Sequence, residues 1–194
     1  MPMSSMAPAA SASDHRSSAG PCVVVMGVSG CGKSTLGRQL AVALAVPFLE
    51  GDELHPPANV LRMAAGIALT DADRVDWLAA IARRLADGHA TGQGLVVACS
   101  ALRRPYRDRL RSAAPDLRLV HLRGEPALIA QRLASRQGHY MPPTLLQSQL
   151  QTLEPPGPDE RAVALDVADP PTQLLRAALV HLAAMPPGAA TPSR

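Results

Sequence analysis

Aromatic residues are scarce in this chain of 194 residues, which contains one Phe, one Trp and two Tyr. A core must therefore be built from aliphatic side chains. The hydrophobic fraction of 47% suffices for one domain, and the length is too short for two ordinary ones. The chain also lacks dense runs of Lys or Arg, although its net charge is +3. Its arginines are scattered, which argues against nucleic-acid binding and favours phosphate or carboxylate ligands.

Long apolar runs and paired cysteines are missing as well. No apolar run reaches the roughly 18 residues that a membrane span needs, and the three cysteines have no paired spacing. We therefore predict a cytoplasmic protein with reduced thiols and no membrane contact. Residues 1–20 lack the pattern of a secretory signal and are expected to form a disordered leader. Residues 185–194 are expected to form a disordered tail, which leaves one domain at 21–184.

Short apolar segments alternate with amphipathic segments along the rest of the chain. The apolar segments predict buried strands near residues 22–26, 46–50, 95–100, 117–122 and 162–167. Helices are predicted between them, including one that begins at Thr70 or Asp71 and ends at Gly88. This alternation predicts a three-layer α/β/α fold with a five-stranded parallel sheet. Ligands in such folds bind beyond the carboxyl ends of the strands.

The segment GVSGCGKST follows the first predicted strand and leads into a helix. It matches G-x-x-x-x-G-K-[ST] in the context that a phosphate-binding loop (P-loop) requires. Lys33 would reach the outer phosphates of ATP, and the Ser34 hydroxyl would bind Mg²⁺. The lysine and the helix start also predict a stabilised thiolate at Cys31. The nucleotide contacts are assigned to Gly27, Val28, Ser29, Gly30, Cys31, Gly32, Lys33, Ser34 and Thr35.

The segment EGDELHP follows the second predicted strand. Glu50 and Asp52 alternate, so both side chains can face the phosphates. We predict that Glu50 contributes to the magnesium site and that Asp52 accepts the hydrogen bond of an attacking hydroxyl. The alternative is a pair of solvated acids in a surface turn.

Five segments occur in the order and approximate spacing found in the gluconokinases. They are GVSGCGKS, EGDELHP, GIALTDADRVDWL, CSALRRPYRDRLR and RLASRQGHY. From about Val23 to about Leu182 the chain resembles this family, which is itself similar to the nucleoside-monophosphate and shikimate kinases. The resemblance implies ATP-dependent phosphorylation of D-gluconate at its 6-hydroxyl, a homodimer, and a helical lid at about 132–150. The chain departs from the family at Glu50, where Asp is common.

The resemblance also implies roles for individual side chains. Asp52 would orient the 6-hydroxyl and His55 would bind a sugar hydroxyl. In the lid, Arg132 and Arg136 lie four residues apart on one helix face and would close over ATP as catalytic cations. Arg132 would also hold adenine together with aliphatic or proline side chains.

The carboxylate of gluconate requires a cation, and a guanidinium can bind it with two hydrogen bonds. Arg74 and either Arg103 or Arg104 are the main candidates, because each stands in a segment that carries the resemblance. For each arginine the alternative is a surface salt bridge. The predicted substrate contacts are Asp52, His55, Arg62, Arg74, Ser100, Arg103, Arg104, Arg107 and His139.

Two other classes of function remain open. Adenylylsulfate and shikimate kinases share a similar P-loop, although His55-Pro56 and residues 99–111 argue against them. A non-catalytic nucleotide switch would also contain the loop, but an arginine-rich lid is better suited to closing over a transferred group.

Overall fold

A computed structural model describes residues 19–135 and 143–185. Nearly all of the predicted leader and tail lies outside these ranges, as do Arg136 and His139 of the predicted lid. Their assignments therefore stay predictions. Within the described residues, no helix is both long enough and apolar enough to cross a membrane.

The described residues form a five-stranded sheet with the order β2-β3-β1-β4-β5, in which every neighbouring pair is parallel. The strands are β1 (Cys22–Met26), β2 (Phe48–Glu50), β3 (Leu95–Ala98), β4 (Arg118–Arg123) and β5 (Ala162–Asp166). Each strand begins and ends within two residues of the segment predicted for it. The predicted five-stranded parallel sheet is therefore confirmed.

Seven α-helices connect or follow these strands in the described part of the chain. They are α1 (Lys33–Leu44), α2 (Pro57–Ala64), α3 (Val75–Ala90), α4 (Arg104–Ala113), α5 (Pro126–Ala134), α6 (Pro143–Thr152) and α7 (Pro171–Ala184). Five of them, α2, α4, α5, α6 and α7, carry proline at their first or second position. Proline is suited to this position because its fixed φ fits the helix and its missing N–H would have had no partner there.

The helix predicted to span Thr70 or Asp71 to Gly88 has different ends in the structure. A 3-10 turn at Ala72–Arg74 precedes α3, and the helix continues through Gly88 to Ala90. Gly88 permits close packing at this point, because a Cβ there would lie only 3.0 Å from the Gly94 carbonyl oxygen. The prediction interpreted this glycine as a helix end, which is wrong.

The central strand β1 shows why the predicted strands are uninterrupted apolar runs. Val23 and Val25 belong to a core beneath α1, α5, α6 and α7. Cys22, Val24 and Met26 belong to a second core beneath α3 and α4 on the opposite face. All five residues are 0% exposed, so the sheet is covered on both sides as a three-layer fold requires.

Parallel strands bring their carboxyl ends to one edge of the sheet. The segments that begin at Gly27, Gly51 and Cys99 leave this edge from β1, β2 and β3. In the sheet, β2 and β3 lie on one side of β1, and β4 and β5 lie on its other side. The strand order thus changes direction between β1 and β4, and such a change creates a crevice in which ligands bind.

Candidate active site

The loop between β1 and α1 is shaped by three glycines with positive φ. Gly27, Gly30 and Gly32 have φ angles of 138°, 83° and 97°, in a region that favours glycine. A Cβ on Gly27 would lie 2.5 Å from the Leu122 carbonyl oxygen, so the loop bends closely against β4. By contrast, the Cβ position of Gly32 has no described heavy atom within 4 Å beyond its chain neighbours. The loop thus presents open space where α1 begins, which suits an anion held by backbone N–H groups.

Lys33 is held by the loop itself. Its Nζ donates a hydrogen bond to the Val28 carbonyl oxygen at 3.0 Å. The next backbone N–H, that of Ser29, donates to Gln149 Oε1 at 2.7 Å, and Gln149 Nε2 donates to Ser29 Oγ at 3.2 Å. Sequence reasoning missed Gln149 because a single glutamine on an amphipathic helix carries no motif signal.

Glu50 and Asp52 share one cleft with the beginning of α1. The cleft has a volume of about 730 Å³ and is lined by Ser34, Thr35, Arg38, Gln39, Glu50, Asp52 and Glu53. β2 ends at Glu50, and the 3-10 turn at Gly51–Leu54 carries Asp52. The structure therefore brings both predicted acids and Ser34 to the lining of one cleft, with Glu50 half-buried and Asp52 exposed.

His55, which follows the turn that carries Asp52, packs against Trp77. Their rings are stacked, with centroids 4.3 Å apart and an angle of 10° between planes. The Trp77 indole N–H donates to the Gly51 carbonyl oxygen at 2.7 Å, so the same side chain also supports the turn that carries Asp52. Burial lowers the pKa of His55; Asp52 opposes this effect and Arg74 adds to it. His55 is therefore a neutral imidazole at pH 7, and its buried Nδ1 has no hydrogen-bond partner among the described residues.

Arg74 and Arg103 lie beside the ring of Tyr106. Their guanidinium carbons are 5.8 Å and 5.9 Å from its centroid. Arg74 donates to the Leu69 carbonyl oxygen at 2.6 Å. Arg103 pairs with Asp71, which also accepts a hydrogen bond from the Tyr106 hydroxyl. Tyr106 and Asp71 lie within the segments that carry the family resemblance, but no spacing rule connects them.

Arg104 and Arg62 are engaged by other carboxylates. Arg104 makes two hydrogen bonds to Asp159, at 2.5 Å and 3.2 Å, whereas Arg62 lies 3.7 Å from Asp73. Both arginines therefore form salt bridges, which is the alternative to a substrate contact given above for each arginine. Ser100 contributes its carbonyl oxygen, which accepts the Gly27 N–H at 3.3 Å and joins the end of β3 to the loop.

Arg107 is buried and does not face the cleft. Its side chain is 1% exposed and makes two hydrogen bonds to Glu160, at 2.7 Å and 2.9 Å. Its remaining terminal nitrogen, Nη1, donates to carbonyl oxygens of residues 101, 102 and 154. The hydrogen bonds from Arg107 lower the pKa of Glu160 to about 2. This geometry gives Arg107 a structural role and does not support the predicted substrate contact.

A second cavity, of about 180 Å³, lies on the other side of the loop. Arg132 lines it together with Leu122, Val167, Pro171 and Leu174. Arg132 Nη2 also donates to the Val167 carbonyl oxygen at 2.8 Å. The sequence predicted this kind of lining, one arginine with aliphatic and proline side chains, for an adenine site.

The predicted thiolate at Cys31 is wrong. Burial raises the pKa of this thiol, and the nearby charge of Lys33 opposes that effect only in part. Burial also raises the pKa of Cys22 to about 11 and of Cys99 to about 12. All three cysteines are free and buried, as expected for reduced thiols, and none is an activated nucleophile.

Known proteins resemble this chain over most of its length. Residues 22–156 match the family described as AAA domain. A gluconokinase of Gluconobacter oxydans (strain 621H) is 46% identical over 84% of this chain and 91% of that protein. The crystal structure of a gluconokinase from Sinorhizobium meliloti 1021 has a TM-score of 0.78 at 51% identity, covering 85% of this chain and 93% of that one. An unliganded sugar kinase from Janibacter sp. HTCC2649 has a TM-score of 0.81 at 44% identity, covering 84% and 94%.

The glycine loop after β1 and the facing acids are features of the small-molecule P-loop kinases, and these relatives place the chain in that class. Sequence identities of 46% and 51% over nearly the full length of two gluconokinases assign the chain to a narrower family within this class. The chain belongs to the gluconokinase family.

We predict that Arg107→Met lowers the free energy of unfolding by about 3–5 kcal/mol, because it removes the bidentate partner of the buried Glu160 carboxylate. Among the described residues, Arg111 and the Gly157 N–H would then remain to compensate its charge. Urea denaturation measures this change. Arg109→Met, an exposed position on the same helix, is the matched control and should change stability by less than about 0.5 kcal/mol. If Arg107→Met instead leaves stability unchanged and raises the KM for gluconate, Arg107 contacts the substrate.

Proposed function

We propose that this protein transfers the γ-phosphoryl group of ATP to the 6-hydroxyl of D-gluconate, giving 6-phospho-D-gluconate and ADP. The observation that carries the proposal is the cleft in which Glu50 and Asp52 face Ser34 at the start of α1. Gluconokinases that are 46% and 51% identical to this chain support gluconate as the acceptor. A homodimer in the cytoplasm, as inferred from the sequence, is part of the same proposal.

The nucleotide would lie along the glycine loop. The N-terminus of α1 and the other backbone N–H groups of the loop at 27–35 would surround its phosphates, since the N–H groups of Gly27, Ser29 and Cys31 already donate to acceptors within the protein. Adenine would occupy the cavity beside Arg132, whose lining is mainly aliphatic. Lys33 Nζ, which donates one of its three hydrogens to the Val28 carbonyl oxygen, would direct the other two to the outer phosphates.

Mg²⁺ would be held by the Ser34 hydroxyl and the Glu50 carboxylate. Within residues 19–135 and 143–185, no three His, Cys, Asp or Glu side chains form a metal-binding group. A site with only two protein ligands suits Mg²⁺, which keeps several waters and is completed by phosphate oxygens. When bound, the ion would neutralise charge on the phosphates.

Asp52 would act on the acceptor. Its carboxylate would accept the hydrogen bond of the 6-hydroxyl and align that oxygen with the terminal phosphorus. As the new O–P bond forms and the bond to ADP breaks, Asp52 would take the hydroxyl proton. Neutral His55, stacked on Trp77, can hydrogen-bond an adjacent sugar hydroxyl without adding charge. Ser100 lies at the end of β3 beside the loop and keeps its predicted contact with substrate.

Arg74 is the best candidate for the gluconate carboxylate. Its charge acts on His55, which supports a position near the proposed sugar site. Its guanidinium donates to the neutral Leu69 carbonyl oxygen and lies beside the ring of Tyr106. Arg103 and Arg104 are each already paired with two carboxylates, so a substrate carboxylate would have to compete for them. Arg62 lies 3.7 Å from Asp73 in a salt bridge with side chains 42% and 25% exposed and stays a secondary proposal, as do Arg136 and His139.

The proposed reaction is tested by supplying ATP with gluconate, adenylylsulfate or shikimate in parallel. ADP release should be accelerated by gluconate, and 6-phosphogluconate should be detected by coupled reduction of NADP. A higher kcat/KM with either of the other acceptors would assign a different kinase. Slow ATP hydrolysis that gluconate does not accelerate would favour a nucleotide switch.

Replacing the proposed acceptor of the hydroxyl proton should slow the chemical step. We expect Asp52→Asn to lower kcat by about 10²–10⁴-fold, because the amide cannot take the proton, and Lys33→Met to cause a comparable loss. Glu53→Gln removes a neighbouring charge of the same cleft and should leave kcat within about threefold. Steady-state kinetics on variants with unchanged melting temperatures measure these effects. A near-normal kcat for Asp52→Asn would remove this residue from its proposed role.

Removing the proposed carboxylate ligand should weaken substrate binding selectively. Arg74→Met is expected to raise the KM for gluconate by about 10–100-fold, the value of a charge-assisted hydrogen-bonded pair. The KM for ATP should change little. Arg103→Met is the comparison variant. If it raises the KM for gluconate more than Arg74→Met does, Arg103 rather than Arg74 binds the carboxylate.

A further inference from the structure

Gln149 contacts the P-loop although it lies on α6, 120 residues further along the chain. Its Oε1 accepts the Ser29 backbone N–H at 2.7 Å, and its Nε2 donates to the Ser29 hydroxyl at 3.2 Å. One amide group thus gives and receives a hydrogen bond at the same loop residue. This pairing fixes the orientation of the amide and joins α6 to the loop.

The Ser29 N–H belongs to the same peptide group as the Val28 carbonyl, which accepts the hydrogen bond of Lys33 Nζ at 3.0 Å. In a planar trans peptide these two groups point in opposite directions. Gln149 and Lys33 therefore hold the two ends of one peptide unit. If that peptide rotated, the acceptor of the Lys33 ammonium would move with it.

α6 lies mostly within the segment expected to form the lid, yet in the structure it packs on the core that contains the loop. Leu145 and Leu146 are 6% and 5% exposed. Leu146 is buried in the core that contains Val28 and Cys31 of the loop, and Leu150 packs against it. Gln149 thus projects from a helix whose apolar face shares a core with the residues it contacts, so its amide is positioned by packing.

We propose that Gln149 is a positioning residue for Lys33, which acts by orienting the Val28–Ser29 peptide. The proposal rests on the use of ATP proposed above, because Lys33 would contact only the outer phosphates. The proposal predicts a selective effect on binding. Loss of Gln149 should weaken the binding of nucleotides that carry these phosphates and should leave the binding of AMP, which lacks them, unchanged.

The variant Gln149→Met keeps the length and apolar contacts of the side chain and removes both hydrogen bonds. Calorimetric titration of the full chain with a non-hydrolysable ATP analogue should show a loss of affinity of about 5–10-fold, the range expected for hydrogen bonds of this kind. Affinity for AMP should stay within about twofold. Gln147→Met and Gln151→Met, at exposed positions of the same helix, should change neither affinity.

An equal loss for both nucleotides, or no loss for either, would overturn the proposal. Gln149→Asn, one methylene too short to make both bonds, should give the same selective loss and provides the test if the Met variant does not fold. Gluconate is absent from these titrations, so the result does not depend on the acceptor. Selective loss of the ATP analogue with no phosphorylation of gluconate would refute the proposed function and leave the role of Gln149 intact.

Discussion

The close contact between the end of β2 and β3 at Gly51 is the constraint on which the candidate site depends. A Cβ at this position would lie 2.5 Å from the Ala98 carbonyl oxygen, so any other residue would displace the turn. Trp77 supports the same turn from the other side through its bond to the Gly51 carbonyl oxygen. Because Asp52 is the next residue, these two contacts set its position across the cleft from α1.

The partners of each arginine distinguish those that hold the fold together from those that could bind substrate. Arg107 and Glu160, both 1% exposed, form a buried ion pair that joins α4 to the turn before β5. Such a pair requires full hydrogen bonding to compensate for lost hydration, which explains why Arg107 also bonds three carbonyl oxygens. Arg74, by contrast, lies beside Tyr106 and donates to the neutral Leu69 carbonyl oxygen. It is therefore not held in a buried ion pair as Arg107 is.

The sheet, the loop and the facing acids were predictable because their signals are local. A buried strand is a continuous apolar run, and the P-loop requires glycines and a lysine at fixed spacing. The fate of each arginine was not predictable, since it depends on which carboxylate the fold places beside it. Gln149 lies 120 residues from its partner, and no spacing rule connects them. Cys31 was misinterpreted because Lys33 is close to it in sequence, while the burial that dominates its pKa arises only from tertiary packing.

A crystal structure with gluconate, Mg²⁺ and a non-hydrolysable ATP analogue would measure the central geometry directly. The account predicts the 6-hydroxyl at about 3 Å from the Asp52 carboxylate and about 3–3.5 Å from the terminal phosphorus, in line with the bond to be broken. Gluconate bound outside the cleft of Glu50 and Asp52, or with its 6-hydroxyl directed away from Asp52, would contradict it.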